Sequence, residues 1–277
     1  MPELPEVETF RRNLEQGRDG FPAILGKTIQ DAQILWERTL AAPSPMEFLD
    51  RVQGQSVESL GRRGKHLLIY LSSDTLVLHF RMSGEVIVEP QTAPLGKHYR
   101  LILDFTDGYR LVFNNPRKFG RVWLTPQPDI LLSDLGPEPL ANDFHPQDLH
   151  AILNNHHRQI KYLLLDQTKI AGLGNIYTDE SLHRSKIHPR TKSDSLSLSQ
   201  ATLLWESIRQ VLQTGINNQG ASIDWMYKGG DYQRLLRVYK RTGDPCIVCG
   251  TPIERILVAQ RGTHYCPSCQ PPPPEDS

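Results

Sequence analysis

The sequence predicts an α+β protein of two domains with a small metal-binding module at its end. Three observations carry that expectation. Short β-patterned segments follow one another from about residue 23 to 124, the period turns helical beyond residue 145, and two Cys-x-x-Cys pairs close the chain. At 277 residues the chain is long enough for two domains and a sizeable core. Lys plus Arg and Asp plus Glu number 31 each, so overall charge selects no acidic partner. A nucleic-acid surface must then come from local clustering. No apolar run reaches membrane-spanning length, and the acidic, Pro-containing start lacks signal-peptide composition, so a cytoplasmic protein is expected.

The chain begins Met1-Pro2-Glu3-Leu4-Pro5-Glu6. An initiator Met is normally trimmed before a residue as small as proline, which would leave Pro2 as a free secondary amine. An α-amino group titrates near about pH 8, so a minor fraction is neutral and nucleophilic at neutral pH. Such an amine attacking a sugar anomeric carbon gives an iminium, the Schiff-base chemistry that lysine performs elsewhere. Glu3 beside it is placed to move a proton. The plainer reading is that both prolines stiffen the terminus and that Pro5 opens a helix. Val7, Phe10 and Leu14 then form one apolar stripe, and Gly17 and Gly20 end the helix.

Candidate strands follow at 56–60, 65–71, 75–80, 85–88, 100–105 and 120–124, with Asp107-Gly108 as a hairpin turn. Their close spacing suggests an antiparallel sandwich or barrel. Three loops stand apart. Gly61-Arg62-Arg63-Gly64-Lys65-His66 sets cations among glycines, either a solvated edge or a phosphate grip. Met82 sits between a strand and Ser83-Gly84, either core filler or a soft wedge. Asn115-Pro116-Arg117-Lys118-Phe119-Gly120 presents an aromatic between cations, suited to entering a base stack or else to anchoring the core.

Prolines 126, 128, 137 and 139 interrupt the pattern, and a linker is expected over 135–144. Helical stretches follow at 145–154, 158–166 and 176–184, and Ser197-x-x-Gln200 has capping-box spacing for a helix running to about residue 213 with Gly215 closing it. Ala171-Gly172-Leu173-Gly174-Asn175 lies between helices, where glycine lets backbone amides approach a phosphate; Arg158, Lys161 and Lys169 are nearby cations. Residues 218–236 read as a loop. Lys228, Arg234, Arg237, Lys240 and Arg241, interleaved with Tyr232 and Tyr239, form either a backbone-binding stripe or a wet surface.

Cys246-x-x-Cys249, sixteen residues, then Cys266-x-x-Cys269 is tetrahedral zinc spacing. Four thiolates close the site, so one structural Zn²⁺ is expected. His264 is then a bystander. Arg261 lies in the intervening loop, where it could be held against phosphate. The tail from Pro271 to Ser277 reads as disordered.

Together these pieces resemble the formamidopyrimidine-DNA glycosylase family of bifunctional DNA glycosylase/AP lyases. The resemblance runs from Pro2 to Gln270. It rests on Pro-Glu-Leu-Pro-Glu-Val-Glu-Thr at 2–9, Arg-Arg-Gly-Lys at 62–65, Met-Ser-Gly at 82–84 and Asn-Pro-Arg-Lys-Phe-Gly at 115–120. Leu-Gly-Pro-Glu-Pro-Leu at 135–140, Gly-Leu-Gly-Asn-Ile-Tyr at 172–177 and the four cysteines complete it. It implies an N-terminal catalytic β-sandwich domain with an N-terminal helix over 1–134, then a linker over 135–144. A helix–two-turns–helix domain with a lesion-capping loop follows over 145–236, then a zinc finger over 237–270 and the tail over 271–277. DNA would cross between domains, with the damaged nucleotide flipped out.

By motif match the resemblance makes Pro2 the nucleophile and Glu3 the proton carrier, with β,δ-elimination following. Lys65 and Arg261 match positions for phosphate contact and elimination. Met82, Arg117 and Phe119 match the residues that fill the vacated gap, with Arg117 facing the orphaned cytosine. His98, Arg158, Lys161, Asn175 and Tyr239 match DNA or structural contacts, and Glu6 and Glu180 acidic positions near the lesion pocket. The implied partner is double-stranded DNA carrying oxidised bases or abasic sites. A bacterial, nucleoid-associated monomer without membrane attachment is expected. Two departures are plain: Tyr239-Lys240-Arg241 replaces Tyr-Gly-Arg, and His156-His157-Arg158 stands where a polybasic run is usual. Within the family, the endonuclease VIII branch acts on oxidised pyrimidines, and its start usually reads Pro-Glu-Gly-Pro. Leu4, Met82 and the 117–119 segment favour the purine branch. A rival of another class is a zinc-finger binder of damaged DNA that does not cut.

Overall fold

The computed structural model describes residues 1–18, 22–222 and 229–273. Helix α1 (Leu4–Gln16) places Pro5 in its first turn, where the missing N–H costs no hydrogen bond. Gly17, at φ 78°, caps its other end, while Gly20 lies outside the described residues. The predicted stripe Val7, Phe10 and Leu14 is buried.

Strands β1 (Ile29–Ile34) and β2 (Leu40–Ala42), helix α2 (Pro45–Val52) and strand β3 (Val57–Arg63) come next. Then come β4 (His66–Leu71), β5 (Thr75–His79), β6 (Glu85–Pro90), β7 (Tyr99–Phe105), β8 (Tyr109–Asn114) and β9 (Arg121–Thr125). They form one sheet in the order β1-β7-β8-β6 and a second in the order β2-β9-β5-β4-β3. Pairing is antiparallel except for the short parallel β2–β9 contact. One continuous core draws on both sheets and on α1, with Phe10, Phe80 and Phe113 in ring contact through Phe80. Burying each large apolar side chain there contributes about 1.5–3 kcal/mol. Asp107-Gly108 makes the β7–β8 turn, with Gly108 at φ 86°.

The sequence expectation lacks β1, the short β2, α2 and β8. A register shift between Ile29 and Asp31 breaks the alternation that would have marked β1. In β8, Leu111, Val112 and Phe113 are buried in succession, so no alternation exists to be read. Helix α2 starts at a Ser44 N-cap followed by Pro45, a signal that the surrounding strand pattern masks.

After the one-turn helix α3 (Pro128–Leu131), the chain passes to a second compact unit at Leu135. The first unit comprises Met1–Asp134 and Ala221–Gly230; the second comprises Leu135–Gly220 and Asp231–Ser277. The second unit holds α4 (Pro146–Asn154), α5 (Ile160–Leu165), α6 (Asn175–Arg184) and α7 (Leu198–Asn217). The capping box forms as read: Ser197 N–H donates to Gln200 Oε1 at 2.9 Å and Gln200 N–H to Ser197 Oγ at 3.3 Å. Gly215 does not end α7; it is buried within the last turn.

The Pro-rich segment 135–144 is no free tether. Arg209 donates to the carbonyls of Pro139 and Ala141, and Trp205 to that of Phe144. A Cβ on Gly136 would stand 2.5 Å from the Lys169 carbonyl carbon, so only glycine lets this strap lie down. The unit ends with the antiparallel hairpin β10 (Glu254–Val258) and β11 (Arg261–Tyr265), anchored behind by buried Gln270, whose Nε2 donates to Ile187 O at 2.8 Å. The expected disordered tail lies largely outside the described residues, as does part of the expected capping loop.

Candidate functional site

In the first unit, the site begins at the chain start. Pro2 is buried, and Glu3 is 2% exposed as the N-cap of α1. Glu3 N–H donates to Glu6 Oε2 at 2.8 Å, and the other Glu6 oxygen accepts Ala221 N–H at 2.8 Å. Glu6 therefore holds the helix start and the returning segment at residue 221 with one carboxylate. Thr9 Oγ1, donating to Pro5 O at 2.8 Å, closes the first turn. Lys65 is buried at the β3–β4 turn, following Gly64 at φ 55°.

Met82 and Phe119, 37% and 53% exposed, are raised on two turns. Fully buried Asn115 joins them. Its Nδ2 donates to Phe80 O at 3.2 Å, at the base of the Met82 turn, and its Oδ1 accepts Phe119 N–H at 3.2 Å. Its backbone N–H reaches His98 O at 2.9 Å, and its carbonyl accepts Arg100 Nε–H at 2.9 Å. Met82, His98 and Phe119 are thus tied to one residue, by its side chain and by its backbone N–H, that the sequence reading passed over although it opens a quoted motif. Lys118 takes φ 61°, its ammonium 3.8 Å from the Trp36 ring centre, and the Arg117 guanidinium lies 5.5 Å from that of Phe119.

His79 Nδ1 accepts Arg81 N–H at 3.1 Å, fixing the left-handed Arg81 that starts the Met82 turn. His66 packs edge-on against His79 at 4.6 Å. Burial pushes His66 down to about 4 and His79 down to about 2, so both imidazoles are neutral around pH 7.

In the second unit, Gln167 holds the glycine turn by accepting Gly172 N–H at 3.0 Å and donating to Leu173 O at 2.8 Å, with Gly172 at φ 90°. The turn delivers Asn175 to the start of α6, where its Nδ2 donates to Gly262 O at 2.9 Å. Asp179 and Glu180 on α6 each grip a different strand of chain. Asp179 pairs with Lys161 at 2.5 Å and accepts His264 N–H at 2.9 Å. Glu180 accepts the backbone N–H groups of Arg237, Val238 and Tyr239 at 2.9–3.0 Å; burial nevertheless pushes its carboxyl up.

Lys161, expected as a DNA or structural contact, has a 0% exposed side chain that pairs with Asp179 and donates to the Gly262 carbonyl. It positions the β10–β11 hairpin, and no signal near Lys161 betrays a partner 18 residues away. At the tip of that hairpin, Ala259 and Gln260 both have positive φ, the two-residue turn that suits strand twist, and Arg261 is exposed beside it. Tyr239 packs edge-on to His264 at 5.1 Å. Arg158 is exposed, 3.4 Å from Asp166 and stacked over Tyr162. His157 Nδ1 lies 2.6 Å from Asp194, and His156 bonds Ile152 O.

The sulfurs of Cys246, Cys249, Cys266 and Cys269 all lie within 4.8 Å of one another. Zinc–sulfur bonds of ~2.3 Å put tetrahedral sulfurs about 3.8 Å apart, which fits the 3.4 to 3.9 Å separations among them. The donor set holds one structural zinc with no open position for a reacting molecule. Buried His183 backs it, Nε2 lying 3.4 Å from Cys246 Sγ. His264 is turned instead to Asp179.

A β-sandwich with a buried proline and glutamate at its first helix, followed by a helical unit and a four-thiolate finger, defines a modular α+β protein with a structural zinc. Family models match in the same order: Formamidopyrimidine-DNA glycosylase N-terminal domain at residues 1–122, its H2TH domain at 135–226, and the zinc finger found in FPG and IleRS at 243–272. Formamidopyrimidine-DNA glycosylase of Ligilactobacillus salivarius is 43% identical, covering 98% of this chain and 99% of its own. That of Chloroflexus aurantiacus is 46% identical, covering 98% of each. Lactococcus lactis Fpg bound to abasic-site DNA superposes with a TM-score of 0.90 at 37% identity, over 98% of this chain and all of that one. MutM bound to carbocyclic 8-oxo-G DNA does so with 0.90 at 38%, over the same shares. The chain belongs to the formamidopyrimidine-DNA glycosylase family.

Proposed function

We propose that the protein is a base-excision-repair DNA glycosylase and AP lyase that removes oxidised purines from duplex DNA through a Schiff base on Pro2. The observation that carries this is the buried Pro2-Glu3 pair at the start of α1. Family membership and relatives bound to Fapy-dG and 8-oxo-G DNA support the same reading. With Met1 removed, the Pro2 nitrogen is a secondary amine at a helix N-terminus, where burial and the partial positive charge both disfavour an ammonium. Its lone pair bonds to the anomeric carbon as the glycosidic bond breaks, the base leaving with the bonding electrons and the proton that the amine nitrogen gives up. The C1′–O4′ bond then opens, O4′ taking a proton, and the nitrogen lone pair completes the iminium. Glu3 moves protons at the opening sugar. The iminium then accepts electrons during β-elimination and δ-elimination, which free the 3′ and 5′ phosphates in turn.

Around that step, Lys65 and Arg261 take phosphate, and Met82, Arg117 and Phe119 fill the gap left by the flipped nucleotide. His98, Arg158, Asn175 and Tyr239 contribute to the DNA-binding surface. The four thiolates hold zinc, which keeps the hairpin bearing Arg261 folded. Residues 1–134, 145–236 and 237–270 serve as the catalytic, helix–two-turns–helix and zinc-finger domains, and residues 218–236 as the loop that caps the lesion. DNA as partner sets the location: the cytoplasm, at the nucleoid. Among the described residues no helix is long and apolar enough to cross a membrane.

Borohydride traps an iminium as a stable amine. Wild-type protein is expected to become covalently joined to lesion-bearing duplex, whereas Pro2→Gly and a protein with its Pro2 nitrogen acylated bind the duplex without trapping. Undiminished trapping by the acylated protein contradicts the assignment.

A further inference from the structure

We propose that a second site, in the cleft between α6, α7 and residues 232–241, binds a phosphate monoester of nucleotide size through Arg184 and Arg237. The cleft has a volume of about 700 Å³, within the range of ~300–1,000 Å³ usual for small-molecule sites. Four guanidinium side chains line it, and their states differ. Arg234 is paired with Asp231 at 3.3 Å, and Arg241 with Asp244 at 3.2 Å and with the carbonyl of Arg237. Arg184 and Arg237 have no ion pair among the described residues. Glu180 supplies the cleft's only carboxylate among those residues. It is 1% exposed, with its oxygens committed to three backbone N–H groups, so it does not reach out to neutralise them.

Two half-buried cations therefore share one concavity. Burial, and then the charge of Arg237, hold the Arg184 guanidinium below its usual range. An anion entering the cleft offsets both effects. A carboxylate would neutralise one guanidinium, whereas a phosphate monoester carries close to two charges near neutral pH and offers three oxygens to planar N–H forks. The wall beside them includes Val211, Leu236 and Ile247, apolar surface against which a sugar or base can lie. The Lys228–Arg241 cation run read in the sequence thus divides: Arg237 turns into this cleft, while Lys240 is exposed. The inference stands apart from the Schiff-base chemistry and does not depend on it.

Calorimetric titration of the full-length, zinc-loaded protein with thymidine 5′-monophosphate tests it, with thymidine as the phosphate-free control. The nucleotide is expected to bind, more weakly as salt rises, and thymidine not to bind. Arg184→Gln with Arg237→Gln should weaken binding at least tenfold while the protein still melts cooperatively. Should that pair fail to fold, Gln210→Glu sets a carboxylate at the rim from the exposed side of α7 and should give the same loss. A 5′-phosphorylated hexanucleotide distinguishes the sources: tighter binding than its unphosphorylated form and than the nucleotide assigns a strand end, and weaker binding than the nucleotide assigns a free nucleotide. Absence of binding by both phosphate probes to the folded wild type, or binding unchanged in the variants, overturns the proposal.

Discussion

Asn115 holds two turns with one amide. Asn115→Ala strips the partner from Phe119 N–H and removes one of two donors from Phe80 O, which keeps Gly84 N–H, at a cost of about 1–3 kcal/mol for the group left unsatisfied. Because those groups set the turns bearing Met82 and Phe119, excision is expected to slow even where the protein remains folded, with cleavage of a preformed abasic site affected less. Single-turnover rates on the two substrates check this, and equal rates to wild type on both would remove Asn115 from the site. His66 and His79 supply a second residue-scale expectation. Their folded values, about 4 and about 2, lie below the unfolded value near ~6.5, so below ~6.5 the unfolded chain binds more protons. Their contribution to stability is present above pH ~6.5 and is lost as pH falls toward 4 and below. Denaturant melts across that window should show stability declining with acid, and His66→Gln should flatten the slope.

Among elements, the β10–β11 hairpin depends on a buried charge. Lys161→Met leaves Asp179 charged, 0% exposed and without its ammonium, a loss of about 3–5 kcal/mol when one partner of a buried pair is removed. Thermal melts of Lys161→Met and of Lys161→Met with Asp179→Leu check it: the single variant should melt earlier, the double should recover much of the loss, and DNA affinity should track hairpin order. The contrast between what was and was not legible lies here. Helix α1, the capping box at Ser197 and the zinc knuckles are local patterns, and the chain carries them openly. The Lys161–Asp179–His264 cluster joins Asp179 to His264 across 85 positions, so no window along the chain contains it. Strand β1 hides behind its bulge and β8 behind burial on both faces.

For the molecule as a whole, the motifs placed the chemistry at the two ends of the chain, and the resemblance supplied roles that composition alone could not. A charge balance of zero selected no basic surface, and only folding separates surface cations such as Arg158 and Arg261 from the internal Lys161. The return of the chain at Ala221 to the first unit was likewise invisible, because the Glu6 carboxylate that accepts its N–H stands 215 positions away. Digestion of borohydride-trapped protein and sequencing by tandem mass spectrometry identify the atom joined to the sugar. The reduced sugar fragment is expected on the nitrogen of an N-terminal Pro2 from which Met1 has been removed; finding it on Lys65 or another lysine, with Pro2 unmodified, rules out the Pro2 Schiff base.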